Sequence, residues 1–282
     1  MKIAIQKSGR LYDESMQLLR DCDIKVAHSK NQLRVKCTNI DLELFFLRDD
    51  DIPQYVADNV AHTGIVGQNV LAETGLQVTT VAPLGFGKCR LSVAIPKGDS
   101  YVNASYLNNK KIATSYPNIL QQYLTANNLT ADIHVISGSV EIAPKIGLAD
   151  AIVDLVSTGN TLFMNELKEV ETIFNSEAVL IANTTLSNEN NDLLQQLLFR
   201  IKAVNQAKNY KYLLLNAPND SIENIIKILP GIKSPTIMPL ANNGWSSLHT
   251  VIQDTDFWKI ITQLKAMGAE GILVFPIEKM IR

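Results

Sequence analysis

Residues 151–162 read Ala-Ile-Val-Asp-Leu-Val-Ser-Thr-Gly-Asn-Thr-Leu, and this stretch decides the fold. Its first half, Ala151–Val156, is apolar apart from Asp154, a pattern typical of a strand buried in a parallel sheet. The second half is a polar run that opens a turn of helix, and Gly159 allows the backbone to turn tightly there. A buried strand that passes through a short polar loop into a helix indicates an α/β fold.

Units of the same kind precede this stretch. Strands are predicted at Lys2–Gln6, Leu33–Cys37, Asp41–Leu47, Thr63–Val66, Val78–Val81, Arg90–Pro96, Lys111–Thr114 and Asp132–Ile136. Helical patterns separate several of them, and Pro117 can begin one helix at its first turn. This rhythm predicts mostly parallel sheets in two lobes with a cleft between them. One or two strands within Val170–Asn183 are expected to return to the first lobe.

The C-terminal part has a different order. A long amphipathic helix is predicted over Asn188–Ala207, and strands and helices then follow in the order βαββαβ. Pro230-Gly231 and Gly268 are expected to end the two helices. We therefore expect a periplasmic-binding-protein-like core followed by a ferredoxin-like domain. The expected boundaries are lobe I at 1–89 and 170–208, lobe II at 90–169, and the ferredoxin-like domain at 209–282.

The composition excludes several classes of protein. The 282 residues are 46% apolar and 19% charged, with a net charge of −2, so the basic surface of a nucleic-acid-binding protein is missing. No apolar run approaches the ~20 residues that cross a bilayer, and the N-terminus becomes charged too early for a signal peptide. The three cysteines form no CxxC pair, which argues against a disulfide framework. We expect a soluble, cytoplasmic protein.

The loop Ser157–Thr161 combines hydroxyl groups, backbone N–H groups and a glycine after a buried strand. Such a loop can cradle a phosphate, and Asp154 just before it suits a ribose diol. The two together favour a phosphorylated sugar as ligand. The structural alternative is an ordinary strand–turn–helix in which Asp154 is a cap. Neither a Walker A motif nor GxGxxG is present.

Glu141, Gly147 and Asp154–Leu162 fill the pattern Glu, five residues, Gly, then Asp-Leu-Val-Ser-Thr-Gly-x-Thr-Leu. This pattern resembles the signature of the ATP phosphoribosyltransferase family, which begins histidine biosynthesis. Blocks along the whole chain carry the same resemblance: IAIQKSGRL at 3–11, RDDDIP at 48–53, GIVGQNVL at 64–71, FGKCRLSVAIP at 86–96, KKIATSYP at 110–117, PGIKSPTIMPL at 230–240 and GAEGILVFPIEKM at 268–280.

The resemblance implies that adenine N1 of ATP attacks C1 of 5-phosphoribosyl 1-diphosphate (PRPP) and releases pyrophosphate. No protein nucleophile is required, and Mg²⁺ is expected to arrive bound to pyrophosphate oxygens. No dedicated protein metal site is expected, since His28, His62, His134 and His249 are scattered and are each expected to be structural. The C-terminal extension resembles the long, homohexameric form, built from dimers, rather than the short form that needs a separate regulatory subunit.

The resemblance also assigns residues to the two substrates. The PRPP site would comprise Asp154, Ser157, Thr158, Gly159, Asn160 and Thr161. The ATP site would comprise Lys7, Gly9, Arg10, Arg48, Asn69 and Arg90. Glu141, Asp154 and Arg10 would be the catalytic residues.

Three of these assignments have alternatives. Glu141 would orient the ribose or carry Mg²⁺, and the structural alternative is a helix cap. Arg48 would reach the cleft, unless it forms a surface ion pair with the aspartates at 49–51. Asn69 stands where short-form relatives commonly carry Asp, which leaves its hydrogen-bonding role open. Lys88 would lie near the polyphosphate, and Cys89 is expected to be inert.

The C-terminal domain contributes none of the substrate motifs. By the resemblance it would bind L-histidine as a feedback inhibitor, with Asn216 after the first tail strand and Thr236 as polar contacts. Otherwise Asn216 caps a loop and Thr236 is an ordinary strand residue. The alternative function is a two-lobed protein that senses a small anion without catalysis, and a phosphoribosyltransferase acting on another base is a second alternative.

Overall fold

The computed structural model describes residues 1–27, 32–229 and 234–281. By their contacts these form two compact units, Met1–Leu194 and Gln195–Arg282. His28 and the predicted helix stop at Pro230-Gly231 lie outside the described residues. None of the helices within the described ranges combines the length and apolar character that a bilayer span requires.

The described residues of the first unit form eleven strands. They are β1 (Lys2–Gln6), β2 (Arg34–Lys36), β3 (Glu43–Leu47), β4 (Thr63–Gly67), β5 (Thr79–Pro83), β6 (Cys89–Pro96), β7 (Lys111–Thr114), β8 (Asp132–Val135), β9 (Ala151–Val156), β10 (Leu167–Ser176) and β11 (Ala178–Ala182). Its helices are α1 (Arg10–Asp21), α2 (Ile52–Ala57), α3 (Gln68–Thr74), α4 (Pro117–Ala126) and α5 (Asn160–Met164). The helix α6 (Asn188–Lys208) begins in this unit and continues into the second.

The strands of the first unit form two sheets, with the orders β2-β3-β1-β4-β11-β5 and β10-β6-β9-β7-β8. The central strand β1 is fully buried at Ile3, Ala4 and Ile5 because β3 and β4 pair with it on either side. In the second sheet, β9 contributes Ala151 and Val153 to one apolar cluster and Ile152 and Val156 to another. Packing on both faces explains why the sequence of β9 is almost continuously apolar.

Both sheets are mixed, so the prediction of mostly parallel sheets was wrong. In the second sheet β7 pairs in parallel with β8 and β9, whereas β6 is antiparallel to β9 and β10. In the first sheet β11 is antiparallel to β4 and β5. One or two strands within Val170–Asn183 were expected to return to the first lobe, and one of them, β11, joins the first sheet, whereas β10 joins the second. The lobe boundaries at 89, 169 and 208 stay predictions.

The chain passes between the two sheets twice, after β5 and after β10. The two crossings lie side by side, since Leu84 N donates to Ala178 O at 2.9 Å and Ala178 N donates to Phe86 O at 2.9 Å. Gly87 occupies this junction with a φ of 63°, and a Cβ there would lie 3.4 Å from the Ala178 Cβ. A left-handed backbone and a close neighbour together favour glycine at this position.

The second unit contains β12 (Tyr210–Pro218), α7 (Ile222–Ile228), β13 (Thr236–Pro239), β14 (Trp245–Gln253), α8 (Asp254–Ala266) and β15 (Glu270–Pro276). Its sheet has the order β13-β14-β12-β15, and every pairing is antiparallel. One face forms a core in which Leu213 and Leu215 of β12 cluster with Ile225 of α7 and Leu264 of α8. The predicted βαββαβ unit is confirmed, and Gly268 follows α8 with a φ of 85°, as a helix stop requires.

Gly64 of β4 offers a test of the packing between the first sheet and α2. A Cβ at this position would lie 2.7 Å from Ile52 Cγ2 and 3.1 Å from Val56 Cγ2. Because both neighbours are β-branched and buried, Gly64→Ala should lower the free energy of unfolding by about 1–3 kcal/mol. Urea denaturation measures this change.

Gly98→Ala is the matched control, since apart from its two chain neighbours no described residue has a heavy atom within 4 Å of its Cβ position. Its effect should stay within about 0.5 kcal/mol. Equal effects of the two substitutions would contradict the packing described for Gly64.

Candidate functional site

A cleft of about 320 Å³ lies between the two sheets of the first unit. Four residues to which the sequence analysis gave a place near the substrates line it: Arg10, Asn69, Lys88 and Ser157. Gln6, Glu14, Asp49, Gly67 and Tyr116 also line it and were not predicted. Since β1, α1 and α3 supply one wall and the loop after β9 supplies the other, the cleft collects groups from both lobes.

Arg10 connects the two walls. It is the first residue of α1 and follows Gly9, whose φ of 88° and ψ of −175° turn the chain into the helix. Arg10 Nη1 donates a hydrogen bond to Ser157 Oγ at 3.1 Å, and its Nε lies 3.5 Å from Glu14 Oε1. The structure thus brings together two predicted site residues that lie far apart in the sequence.

The loop after β9 presents its side chains to solvent. Ser157, Thr158, Asn160 and Thr161 are all exposed, and Gly159 has the left-handed conformation with a φ of 81° directly before α5. Because α5 has only five residues, its dipole is small, so an anion at this loop would depend mostly on the hydroxyl and N–H groups of the loop.

Asp154 lies near the end of β9, opposite Ser92 of β6. Burial raises the pKa of its carboxyl to about 6, a hydrogen bond from Leu155 N at 2.8 Å acts in the opposite direction, and the charge of Glu141 adds to the rise. Glu141 lies in the 3₁₀ turn Val140–Ile142. The structure therefore places the two predicted carboxylates close enough for their charges to interact. When it is ionised, the Asp154 carboxylate can accept a hydrogen bond from a hydroxyl group.

Asn69 is buried, and its backbone N, Oδ1 and Nδ2 each form a hydrogen bond with another residue. Its N donates to Ser176 Oγ at 3.0 Å, Ser176 Oγ donates to Asn69 Oδ1 at 2.8 Å, and Asn69 Nδ2 donates to Tyr116 Oη at 3.0 Å. A Cβ on Gly67 would lie 2.3 Å from Asn69 Oδ1, so only glycine leaves room for this arrangement. Asn69 thus fixes the cleft wall.

Tyr116 was missed by the sequence analysis, although a signal was available. Pro117 begins α4, so Tyr116 occupies the residue before that helix and reaches the cleft. Glu73 of α3 holds the same helix end, since its carboxylate accepts hydrogen bonds from Asn118 N at 2.8 Å and Ile119 N at 3.0 Å. A carboxylate on the first N–H groups of a helix is a stabilising cap.

Most of the predicted site residues are not among those that line the cleft, which leaves out Glu141, Asp154, residues 158–161, Lys7, Gly9, Arg48 and Arg90. Lys7 and Gly9 are exposed, and Lys7 N donates to Leu47 O at 2.8 Å. Arg48 is exposed and, within the described part of the chain, forms no ion pair within 4 Å with the aspartates at 49–51. Arg90 pairs with Glu169, and its Nη1 donates a hydrogen bond to Ser157 O at 3.4 Å.

Cys89 and three histidines have structural surroundings. Burial raises the pKa of the Cys89 thiol, which disfavours the reactive thiolate. His62 Nδ1 accepts a hydrogen bond from Lys2 N at 2.8 Å, His134 lies 3.0 Å from Asp132, and His249 lies between Tyr212 and Ser247. Within residues 1–27, 32–229 and 234–281, no group of three or more His, Cys, Asp or Glu side chains is placed to hold a metal ion.

The two residues predicted to bind an inhibitor lie in the sheet of the second unit. Asn216 lies inside β12, opposite Ser247 of β14, and not after the strand as expected. Its Nδ2 would lie 3.2 Å from a Cβ on Gly271 of β15. Thr236 is the first residue of β13 and is exposed, opposite His249.

Comparisons with known proteins agree over the whole chain. A family model described as ATP phosphoribosyltransferase matches residues 48–203, and a model described as the HisG C-terminal domain matches residues 207–279. The curated ATP phosphoribosyltransferase of Cytophaga hutchinsonii is 55% identical over 282 residues, covering 100% of this chain and 99% of the relative. That of Phocaeicola vulgatus is 55% identical over 281 residues with the same coverage.

Solved structures resemble about three quarters of the chain. The ATP phosphoribosyl transferase (HisG:HisZ) complex from Thermotoga maritima matches with a TM-score of 0.61 and 30% identity, covering 72% of this chain and 98% of that one. Tv2483 bound to L-arginine matches with a TM-score of 0.53 and 15% identity, covering 74% and 86%. The second likeness shows the shared fold alone, a two-lobed binding-protein architecture.

The raised pKa of Asp154 predicts a pH-dependent stability. A carboxyl with a folded pKa of about 6 and an ordinary value near 4 when unfolded stabilises the fold at low pH and loses that contribution as the pH rises through 6. Asp154→Asn does not titrate. Its free energy of unfolding should therefore rise relative to the wild type by about 1–2 kcal/mol between pH 4 and pH 7, since partial exposure screens the charge.

Urea denaturation at several pH values measures this difference. Asp192→Asn, at an exposed position on α6, is the control and should keep a constant difference from the wild type. A pH-independent difference for Asp154→Asn would show that its carboxyl is not perturbed by burial.

Proposed function

The chain belongs to the ATP phosphoribosyltransferase family, in its long form, and from this premise we propose how its cleft carries out the reaction. The enzyme joins adenine N1 of ATP to C1 of PRPP and releases pyrophosphate, the first step of L-histidine biosynthesis. Relatives with this activity match the full length of the chain, so a sensor without catalysis is not favoured.

The reaction needs positioning more than covalent chemistry. Adenine N1 attacks C1 while pyrophosphate departs on the opposite face, so C1 inverts and passes through an oxocarbenium-like state. When the enzyme holds the two substrates in line, the entropy cost of bringing them together no longer contributes to the reaction barrier. Hydrogen-bond donors in fixed positions stabilise the negative charge of the departing pyrophosphate. The raised pKa of the Cys89 thiol fits a reaction without a protein nucleophile.

The loop after β9 is proposed to bind the 5-phosphate of PRPP through Ser157, Thr158, Gly159, Asn160 and Thr161. Asp154 would accept hydrogen bonds from the ribose hydroxyls. Its elevated pKa supports this role, because a partly buried carboxylate gains most from donors that replace lost water. Glu141 would orient the same ribose, and its charge already acts on Asp154.

The opposite wall is proposed to bind ATP through Lys7, Gly9, Arg10, Arg48 and Asn69. Arg90, which the resemblance assigns to ATP, lies on β6 beside β9, and Glu169 holds two of its nitrogens, so we propose that it acts on the loop after β9 and not on ATP. The hydrogen bond from Arg10 to Ser157 carries this placement, because it joins the two proposed substrate sites across the cleft. Arg10 would exchange Ser157 for phosphate oxygens, which a guanidinium binds bidentately. Asn69 would act by holding Tyr116 at the cleft wall, since its amide group is already engaged.

The family uses a metal ion, and we propose that Mg²⁺ enters bound to the pyrophosphate of PRPP. Asp154 and Glu141 supply two carboxylates that could bind a metal ion, and among the described residues no third His, Cys, Asp or Glu joins them. Two protein ligands suit an ion whose other ligands are substrate oxygens. The ion would supply neutralisation of the leaving charge. The protein residues would orient the two substrates.

The second unit is proposed to bind L-histidine through Asn216 and Thr236 and to reduce activity by favouring a less active arrangement of subunits. We propose a homohexamer built from dimers, with the lobes and the regulatory domain bounded as the sequence predicts. A nucleotide-dependent biosynthetic step fits a cytoplasmic enzyme.

A direct assay tests the proposed PRPP loop. Purified enzyme with ATP, PRPP and Mg²⁺ should yield pyrophosphate and a product with the mass of phosphoribosyl-ATP. Thr158→Ala removes one hydroxyl from the loop and should raise the KM for PRPP about tenfold, with little change in the KM for ATP. Thr125→Ala, at an exposed position on α4, is the control and should leave both values unchanged. An unchanged KM for PRPP in Thr158→Ala would remove this residue from the site.

Inhibition assays test the regulatory site in the full-length chain. L-histidine should inhibit the wild type, and Thr236→Val or Asn216→Ala should raise the half-inhibitory concentration about tenfold, because each removes a polar contact. The catalytic constants without histidine should stay the same. Asn242→Ala, in an exposed turn of the same unit, is the control. Undiminished inhibition of both variants would place the histidine site elsewhere.

A further inference from the structure

A bidentate ion pair joins β6 to β10 beside the cleft. Arg90 Nε and Nη2 donate to the two carboxylate oxygens of Glu169, each at 2.5 Å. The side chains are 36% and 25% exposed, so the pair is partly shielded from water. A planar fork on a carboxylate fixes direction as well as distance.

The Glu169 carboxylate has a third donor. Ser92 is fully buried, and its Oγ donates to Glu169 Oε1 at 2.8 Å. The hydrogen bonds from Arg90 are the main reason that the pKa of Glu169 lies below its ordinary value. Glu169 therefore stays ionised and oriented at neutral pH, and it cannot turn without breaking three hydrogen bonds.

Arg90 carries this constraint to the loop after β9. It lies opposite Val156, the last residue of β9, and its remaining nitrogen, Nη1, donates to Ser157 O at 3.4 Å. Ser157 is thus held by two guanidinium groups, with Arg10 on its hydroxyl and Arg90 on its carbonyl. The first residue of the proposed phosphate loop is therefore one of the points at which the two lobes contact each other.

We propose that Glu169 is a positioning residue for PRPP, acting through Arg90 on the loop Ser157–Thr161. Glu169 occupies two nitrogens of Arg90, which directs the third to the Ser157 carbonyl and turns the loop N–H groups and hydroxyls toward the ligand. Without the carboxylate, Arg90 would be free to pair with the nearest anion, and the loop would lose its anchor. This role rests on the proposed binding of PRPP by that loop.

Glu169→Gln tests the proposal, because it keeps the size of the side chain and removes its charge. The KM for PRPP should rise about tenfold, whereas the KM for ATP should change less than about twofold. Steady-state kinetics with each substrate varied in turn measures the two values. If Glu169 had a purely structural role, Glu169→Gln would lower the melting temperature without changing the KM for PRPP more than the KM for ATP.

The chain contains a matched control pair in its first sheet. Arg34 donates to Glu43 through Nε at 2.5 Å and Nη2 at 3.1 Å, the same bidentate arrangement between strands that do not line the cleft. Glu43→Gln should leave the KM for both substrates unchanged. A similar rise in the KM for PRPP in Glu43→Gln and Glu169→Gln would overturn the proposal, since any lost ion pair would then have the same effect.

A double variant tests whether Glu169 acts through Arg90. If it does, Glu169→Gln combined with Arg90→Gln should raise the KM for PRPP no further than Arg90→Gln alone. Additive effects would overturn the proposed route, and so would a wild-type KM for PRPP in Glu169→Gln.

Thr158→Ala separates this proposal from the one on which it rests. If Thr158→Ala raises the KM for PRPP and Glu169→Gln does not, the loop binds PRPP but Glu169 does not position it. If neither variant changes that KM, the assignment of the loop itself is wrong, and the role of Glu169 falls with it.

Discussion

The catalytic core depends on the two adjacent crossings between its sheets. The backbone hydrogen bonds between Leu84, Phe86 and Ala178 hold the end of one crossing against the other, so the two lobes share a narrow double connection. The cleft opens directly beside this connection, where Gly87 and Cys89 belong to its lining. Groups that the sequence places far apart, such as Arg10 and Ser157, meet because the connection sets how the two sheets face each other.

Much of the fold could be predicted because local pattern and burial agree. The apolar run of β9, Pro117 at the start of α4 and Gly268 after α8 each have one dominant physical meaning, and the structure has them as expected. The direction of strand pairing could not be predicted in this way. A run of apolar, β-branched residues fits both a parallel and an antiparallel strand. The sequences of β6 and β11 therefore do not show that their neighbours are antiparallel.

The part of the site that lies in one continuous motif could be predicted from the sequence. The part that depends on side chains from two separate strands could not. Asp154 and the loop after it belong to one stretch of sequence, and the structure has the predicted order of strand, loop and helix there. Arg90 and Glu169 are paired across β6 and β10, and no local pattern shows that Arg90 already has a carboxylate partner. The position of Asn216 inside β12 was predictable, since the alternation of Leu213, Leu215 and Ala217 continues through it.

The contact between Arg10 and Ser157 has a consequence for how often the cleft is open. Both partners are exposed, so this hydrogen bond contributes only about 0.5–1.5 kcal/mol. A contribution of that size changes the ratio of closed to open molecules by no more than roughly tenfold. Closure of the empty cleft is therefore readily reversible at this contact, and substrates that bind the closed arrangement more tightly than the open one shift the population toward it.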